Sequence, residues 1–424
     1  MNYVIKAIMG TGILKILSLV LSFAASIILA RSLNPEVLGT YTLIISIVGF
    51  ASVPIASGLV HYTIRETSAY FSGSNWSLLR GFKDRLYQWV VLVTVLLTGV
   101  SFVLLDLLGL NLDISNESLI QICALMLLLL SLSTIRSSIL RGIGKTTIAQ
   151  LPELIIRPSI FLTVILLLWL NEAMSLMSVL IGQLSAYFTA FIVGALLISR
   201  FWPLEAKLIH KEYETEIWIK KFPYFIALIF LASLNKEMGI LALGMFNSLE
   251  EVAFLRLAQN LGILIGVLLT IVNIAIAPDA SKAFAEKDKE GLEMLFRQSR
   301  RMLIILTTVI GVILITYNKE LIGFLFGNVY VETVSKPMIV IVFGHILASI
   351  FGPVFLFHVM SKYEKQALMA SLIMVIVNVI LQWLLVRDYG ALGAAIAIST
   401  VMILWSFYLA VNLKKKLGIK LSIF

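Results

Sequence analysis

A single cysteine, Cys123, occurs in the 424 residues. It cannot form an internal disulfide or a thiolate metal cluster, and its place in an apolar run reads as a small buried hydrophobe. Histidine is nearly as scarce: His61, His210, His345 and His358 show no short metal-ligand spacing. Charge is the most telling shortage. Only 13% of residues are charged and 60% are hydrophobic, where a soluble domain carries about 25% charge. The mean hydropathy is +0.99. So little charge cannot cover a soluble surface, which excludes a soluble enzyme and assigns a polytopic membrane protein. The first apolar run, about 7–30, is too long for a signal-peptide core and reads as a retained first span.

Runs of about 20 mostly apolar residues fall near 9–30, 38–62, 87–108, 119–138, 148–170, 174–198, 223–246, 252–277, 302–317, 337–357, 366–386 and 391–412. The expected fold is therefore all-α, with about twelve transmembrane helices. Lys and Arg are shared unevenly between the two sets of connections, 25 on one side against 4 on the other. This bias puts both termini in the cytoplasm. It also accounts for the net charge of +9 without nucleic acid, since basic juxtamembrane segments are drawn to anionic lipid. Three connections are long and basic: 64–86, 199–222 and 278–301. Residues 201–222 divide an N-terminal lobe (1–200) from a C-terminal lobe (223–424). With Trp202, Leu204, Leu208, Ile217 and Trp218 set among charges, they read as a cytoplasmic linker or an amphipathic surface helix. The lobes look like a duplication: Asn34-Pro35-Glu36 and Ser248-Leu249-Glu250 open the second helix of each. An even number of spans per half makes such repeats parallel.

The stretch ILRGIGKTTIA (139–149) ends like a phosphate-binding loop. A working loop is G-x-x-x-x-G-K-[ST] between a strand and a helix. Its first glycine would fall at Ile139, and a membrane helix precedes it. Without the glycine-rich backbone no phosphate chain is cradled, so Lys145 counts as one more cytoplasmic cation and ATP hydrolysis is not expected.

With Arg136, at the end of the 119–138 run, counted among the loop cations together with Arg141 and Lys145, four cations remain inside spans: Lys15, Arg157, Lys236 and Arg256. At about 2.5–3.5 kcal/mol each on the lenient insertion scale, they would cost on the order of 10–14 kcal/mol against lipid, as much as a domain's net stability. They must be paired or line water. Helical spacing supports an interior face: Lys15, Ser18, Ser22 and Ser26 in the first span; Arg256, Gln259, Gly266, Thr270 and Asn273 in the eighth; Ser371, Asn378 and Gln382 in the eleventh. Glu153 and Arg157, spaced i,i+4, can form a salt bridge. Lys236 and Glu237 are adjacent and point about 100° apart. Pro54, Pro158, Pro278 and Pro353 lie in or at the ends of spans, where each frees a carbonyl and permits a kink.

Several segments carry a family resemblance: LARSLNPEVLGTY (29–41), LRGIGK (140–145), EEVAFLRLAQNL (250–261), LFGNVY (325–330) and YGALGAAIA (389–397). In order along the whole chain, they are similar to polysaccharide flippases of the Wzx/PST type, within the multidrug/oligosaccharidyl-lipid/polysaccharide (MOP) exporter superfamily. The resemblance implies a MATE-like fold of two six-helix bundles forming a V around a central cavity. It implies movement of undecaprenyl-pyrophosphate-linked oligosaccharide across the bacterial cytoplasmic membrane, for O-antigen or capsule synthesis, alongside polysaccharide polymerase machinery and without enzymatic activity. On that reading Lys15, Arg157, Lys236 and Arg256 meet the pyrophosphate with Gln259 and Asn260 beside them. Glu153 and Glu237 couple transport to a proton or Na+, and no other cofactor is expected.

Two other readings compete. A MATE-type drug exporter shares the fold, but its cargo is often cationic and would be repelled by a site with more bases than acids. A membrane glycan polymerase or ligase should carry a sizeable outer loop with catalytic groups, whereas the outer connections here, 109–118 and 318–336, are short. A lipid II flippase of the same superfamily would be expected to carry about two more helices.

Overall fold

The computed structural model describes residues 2–107, 114–286, 288–360 and 364–417. Of the cations counted above, Lys287, Lys362 and Lys420 lie outside these residues, as does the first half of the 109–118 connection. All regular structure among the described residues is helical. That is what hydrocarbon demands of an open chain, because only helices satisfy every backbone polar group within one segment.

The chain divides into two compact units. The first comprises Met1–Leu33 and Ile44–Ser233, the second Asn34–Leu43 and Leu234–Phe424. The division falls inside α2 (Pro35–Ile55) and inside α10 (Thr215–Phe246). The first unit also holds α1 (Asn2–Ser32), α3 (Val60–Ser72), α4 (Trp76–Leu107), α5 (Ile114–Gly142), α6 (Thr146–Leu151), α7 (Arg157–Leu170), α8 (Leu176–Phe201) and the single turn α9 (Glu205–Leu208). The second holds α11 (Leu249–Glu286), α12 (Lys289–Thr316), α13 (Asn318–Phe326), α14 (Val331–Ser349), α15 (Val354–Met360) and α16 (Glu364–Leu417).

Ten helical segments among the described residues are long and apolar enough to cross a membrane. The segment on α16 covers most of one expected run, 366–386, and all of the next, and α4 carries the 87–108 run as far as Leu107. The runs at 38–62 and 337–357 are not continuous. The first breaks after Ile55, where Ser52 and Ser57 hydroxyls pair at 2.7 Å. The second breaks after Ser349, where Gly352 takes a φ of +75°. Conversely, the basic connections 64–86 and 278–301 are largely helical, as α3, the start of α4, the end of α11 and the start of α12.

Helix starts follow the local chemistry. Asn34 Oδ1 accepts the Val37 amide at 2.9 Å with Pro35 in the first position, and Ser248 Oγ accepts the Glu251 amide at 3.4 Å. These are N-caps, which satisfy amides that have no partner inside the helix. They stand where the duplication placed two helix entries.

The stretch 139–149 is a helix–turn–helix. Lys145 donates its amide to Leu140 O at 2.9 Å and Gly144 adopts φ +84°, a left-handed cap that ends α5. A helix precedes the lysine, as expected, so its backbone cannot wrap a phosphate.

The segment after α8 docks on the first unit. Arg80 donates to Ile209 O at 2.6 Å, Lys211 pairs with Asp84, and Trp218 Nε1 donates to the Tyr70 hydroxyl at 2.9 Å. Trp202, Ala206 and Trp218 are buried. Trp218 joins an aromatic core in which Phe82 and Tyr62 meet edge-on. Burial of rings this large dominates local packing. Only Glu205–Leu208 of residues 203–214 is helical.

In the second unit, α16 breaks at Gly390 (φ +51°, ψ −133°). The following amide, of Ala391, donates to Glu251 Oε2 at 2.6 Å, so an α11 carboxylate caps the second half of α16. A Cβ at Gly390 would lie 2.5 Å from that carboxylate. Backbone of this kind costs a non-glycine residue about 1–3 kcal/mol. Gly390→Ala is therefore expected to lower stability by about that amount and loosen the cap. A drop in melting temperature of the detergent-purified protein would register it, and an unchanged melting curve would contradict it.

Candidate functional site

In each unit an acid expected inside a span is shared by two bases; Glu66, outside the expected spans, is likewise shared by Arg65 and Lys221. In the first unit, α5, the segment before α7, and α7 itself supply the triad. Residues Pro152–Ile156 form a π-turn, in which the Arg157 amide reaches Pro152 O. Pro158 has no amide to offer the preceding turn, and such bulges arise where the regular ladder is interrupted. Glu153 sits on this bulge. Its Oε1 accepts from Arg136 Nη2 at 3.0 Å, and its Oε2 from Arg157 Nη1 at 3.4 Å. Arg157 also lies 5.2 Å over the Tyr187 ring.

Arg136 is only 2% exposed. Its Nη1 donates to Phe191 O at 3.0 Å and reaches Ala190 O at 3.4 Å. These are α8 carbonyls using a second lone pair. Gly194 makes the approach possible: a Cβ there would fall 1.8 Å from the Arg136 guanidinium carbon. The charge is thus held by one carboxylate and by backbone dipoles, the condition for tolerating a buried cation.

In the second unit the shared acid is Glu237 on α10. Its Oε2 lies 3.1 Å from Arg256 Nη2 on α11 and its Oε1 lies 3.1 Å from Lys236 Nζ. The sequence offered no local acid for Arg256. The partner comes from the neighbouring helix. Lys236 is 77% exposed, whereas Arg256 and Glu237 are largely covered. Gln259 and Asn260 follow one turn along α11, both half-buried.

Beside them runs a chain of amides. Asn378 Nδ2 donates to Asn235 Oδ1 at 2.9 Å, and Gln382 Nε2 donates to Asn378 Oδ1 at 3.2 Å. Asn378 and Gln382 are buried, and Gln382 Oε1 has no partner among the described residues. Further along the α11 stripe, Gly266 and Asn273 line a cavity of about 170 Å³ with Thr307, His345 and Ser349.

The expected site residues therefore fall into three groups. Glu153 and Arg157 meet, and so do Lys236, Glu237 and Arg256. Lys15 is exposed on α1 and makes no ion pair among the described residues. Arg136, counted above among loop cations, is instead the most deeply covered charge of the site. The signal that could have found it is the polar string Ser131, Ser133, Thr134, Ser137 and Ser138 around it in an otherwise apolar run. Four of those residues are buried.

The formal charge over each triad is +1, since one carboxylate faces two cations. Such a centre in an apolar surround favours an anionic group that can take over the carboxylate's place.

Comparison with known proteins places the chain. The sequence model of the family described as "Polysaccharide biosynthesis protein" matches residues 4–284. No curated protein sequence matches significantly. Among solved structures the chain is similar to the lipid II flippase MurJ in an inward closed conformation (17% identity, 95% of this chain and 87% of that one, TM-score 0.74). It is also similar to a multidrug-resistance MATE transporter of the MOP superfamily in an inward-facing conformation (13% identity, 94% of each chain, TM-score 0.78). A third is a MOP superfamily transporter from Pyrococcus furiosus, reported with reversed polarity of its binding pocket (12% identity, 98% and 96% covered, TM-score 0.63). At these identities the likeness establishes a MATE-like fold.

Proposed function

From the premise that this chain belongs to the polysaccharide biosynthesis protein family, we propose that it is a flippase for undecaprenyl-pyrophosphate-linked oligosaccharide units. It carries them across the bacterial cytoplasmic membrane, with both termini in the cytoplasm. The observation that carries this reading is the composition of the two triads, one acid to two bases in each unit. A pyrophosphate and sugar hydroxyls cannot cross hydrocarbon unaided. Arg157, Lys236, Arg256 and Lys15 offer charge-assisted hydrogen bonds to the pyrophosphate. Gln259 and Asn260 offer amide groups to the sugar.

The shared acids suggest the coupling. When pyrophosphate engages Arg157, Lys236 and Arg256, Glu237 gives up both of its partners and Glu153 keeps only Arg136. The carboxylates are then the places where the coupling ion, a proton or Na+, can replace the cations drawn to the cargo. Cargo and coupling ion thus favour each other's binding on the same triads, a differential interaction of the kind that shifts a conformational equilibrium. Alternating access by rocking of the two halves completes the cycle. A MATE-type exporter of cationic drugs is the second reading, and the surplus of bases argues against it.

The test is the fate of the lipid-linked unit in cells lacking the chain. A flippase defect leaves single units on the cytoplasmic side, inaccessible to an outer-face probe, and plasmid-borne wild type restores their export. If units reach the outer face unpolymerised instead, the chain acts in polymerisation and the proposal fails. The same assay tests the residues: if Gln at each of Lys15, Arg157, Lys236 and Arg256 in turn leaves export intact, the binding assignment is wrong.

A further inference from the structure

A further basic site, lined by none of the triad residues, lies at one end of the second unit. Arg300 on α12, Phe351 in the break after α14, and Phe407, Val411, Lys414 and Lys415 on the last turns of α16 line a cavity of about 610 Å³. The volume falls within the usual range for small-molecule sites. Among the described residues three cations line it and no carboxylate does, and the remaining wall is aromatic and aliphatic.

Arg300 is a built feature rather than a loose surface charge. It is 5% exposed. Its Cβ and Cγ sit where a Cβ on Gly352 (φ +75°) would meet them at 3.0–3.1 Å, and its guanidinium lies 6.0 Å from the Phe296 ring. Lys414 and Lys415 are exposed. They stand where the apolar run of α16 gives way to a lysine cluster, the level at which lipid headgroups meet a membrane helix.

We infer that this cavity binds an anionic phospholipid of the phosphatidylglycerol type. Arg300, Lys414 and Lys415 would hold the phosphate while an acyl chain lies along Phe351, Phe407 and Val411. Basic pockets between transmembrane helices are suited to such headgroups. A guanidinium adds the planar fork that fits phosphate oxygens. A zwitterionic headgroup brings its own ammonium into a space that already holds three cations and no acid, so it should be rejected. The inference does not depend on which cargo the protein moves.

Native mass spectrometry of the full-length, detergent-purified protein tests it. Phosphatidylglycerol and phosphatidylethanolamine with identical acyl chains are titrated in parallel. The wild type is expected to retain phosphatidylglycerol about tenfold better. K414Q/K415Q should lose one bound phosphatidylglycerol and most of that preference, while K319Q, at an exposed lysine paired with Glu332, should keep both. Arg300→Gln, if it folds, should act like the double lysine variant. Equal retention of the two lipids by wild type, or an undiminished preference in K414Q/K415Q, would overturn the assignment. So would displacement by millimolar inorganic phosphate or by equimolar polyprenyl phosphate, which would give the site to free phosphate or to cargo.

Discussion

Arg136→Met is expected to destabilise the protein by about 3–5 kcal/mol, the range for breaking a buried ion pair from one side. The loss would come less from the missing attraction than from what is left behind. Glu153 would keep only Arg157, at 3.4 Å and 30% exposed. The carbonyls of Ala190 and Phe191 would lose a charged donor, and the cleft at Gly194 would be refilled by an apolar chain of different shape. The double variant Arg136→Met/Glu153→Gln removes both charges, so it should recover a large part of the deficit. Its remaining cost is the unpaired Arg157, which can reach water. Thermal unfolding of detergent-purified wild type, single and double variants gives the coupling directly. If the double variant is as unstable as the sum of the two single changes, Arg136 and Glu153 are not partners, and the first triad is wrongly drawn. Arg136→Lys separates charge from geometry. A lysine has one ammonium, where the guanidinium reaches Glu153 and two α8 carbonyls from separate nitrogens, so it should restore only part of the stability.

Much of this architecture was legible in the sequence because hydrocarbon leaves a chain few choices. Uninterrupted apolar runs became helices, and the caps at Asn34 and Ser248 fell where the polar residue meets the apolar run. The amide stripe of Asn378 and Gln382 on α16 faces the unit's interior, as its i,i+4 spacing requires. The breaks at 56–59 and 350–353 were legible only in part: Pro54 and Pro353 marked both places as able to kink, but the hydropathy runs pass through Ser57-Gly58 and Gly352-Pro353 without showing that the helix ends there. Charges were read well when their partner lay one turn away, as with Glu153 and Arg157, and poorly when it lay on another helix. Arg256 gave no hint of Glu237. Arg136 stood five residues from Arg141 and so passed for part of a basic turn, although its long side chain points into the α5–α8 contact. Periodicity reports which face of a helix is covered, but only the fold reports what covers it.

The double variant Arg157→Gln/Lys236→Gln is expected to separate function from stability. Both side chains lie on the accessible side of their triads, at 30% and 77% exposure. Pairs so open to solvent contribute at most about 1 kcal/mol each, so the melting temperature should stay near that of wild type. Each triad would also keep a neutralised carboxylate, Glu153 with Arg136 and Glu237 with Arg256, so no buried charge is orphaned. Export should nevertheless collapse. A hydrogen bond from a charged group to a phosphate oxygen is worth about 1.5–3 kcal/mol. Losing one in each unit therefore predicts a fall in transport of the lipid-linked unit of about 100-fold or more. Arg157→Lys/Lys236→Arg keeps both charges and should retain most of the transport. Reconstituted vesicles loaded with a fluorescent polyprenyl-pyrophosphate glycan report the rate, and melting of the same preparations reports the fold. Wild-type transport by a stably folded glutamine double variant would remove the open cations from the cargo's path. It would leave the buried halves of the triads, Arg136–Glu153 and Glu237–Arg256, as supports of the fold rather than of translocation.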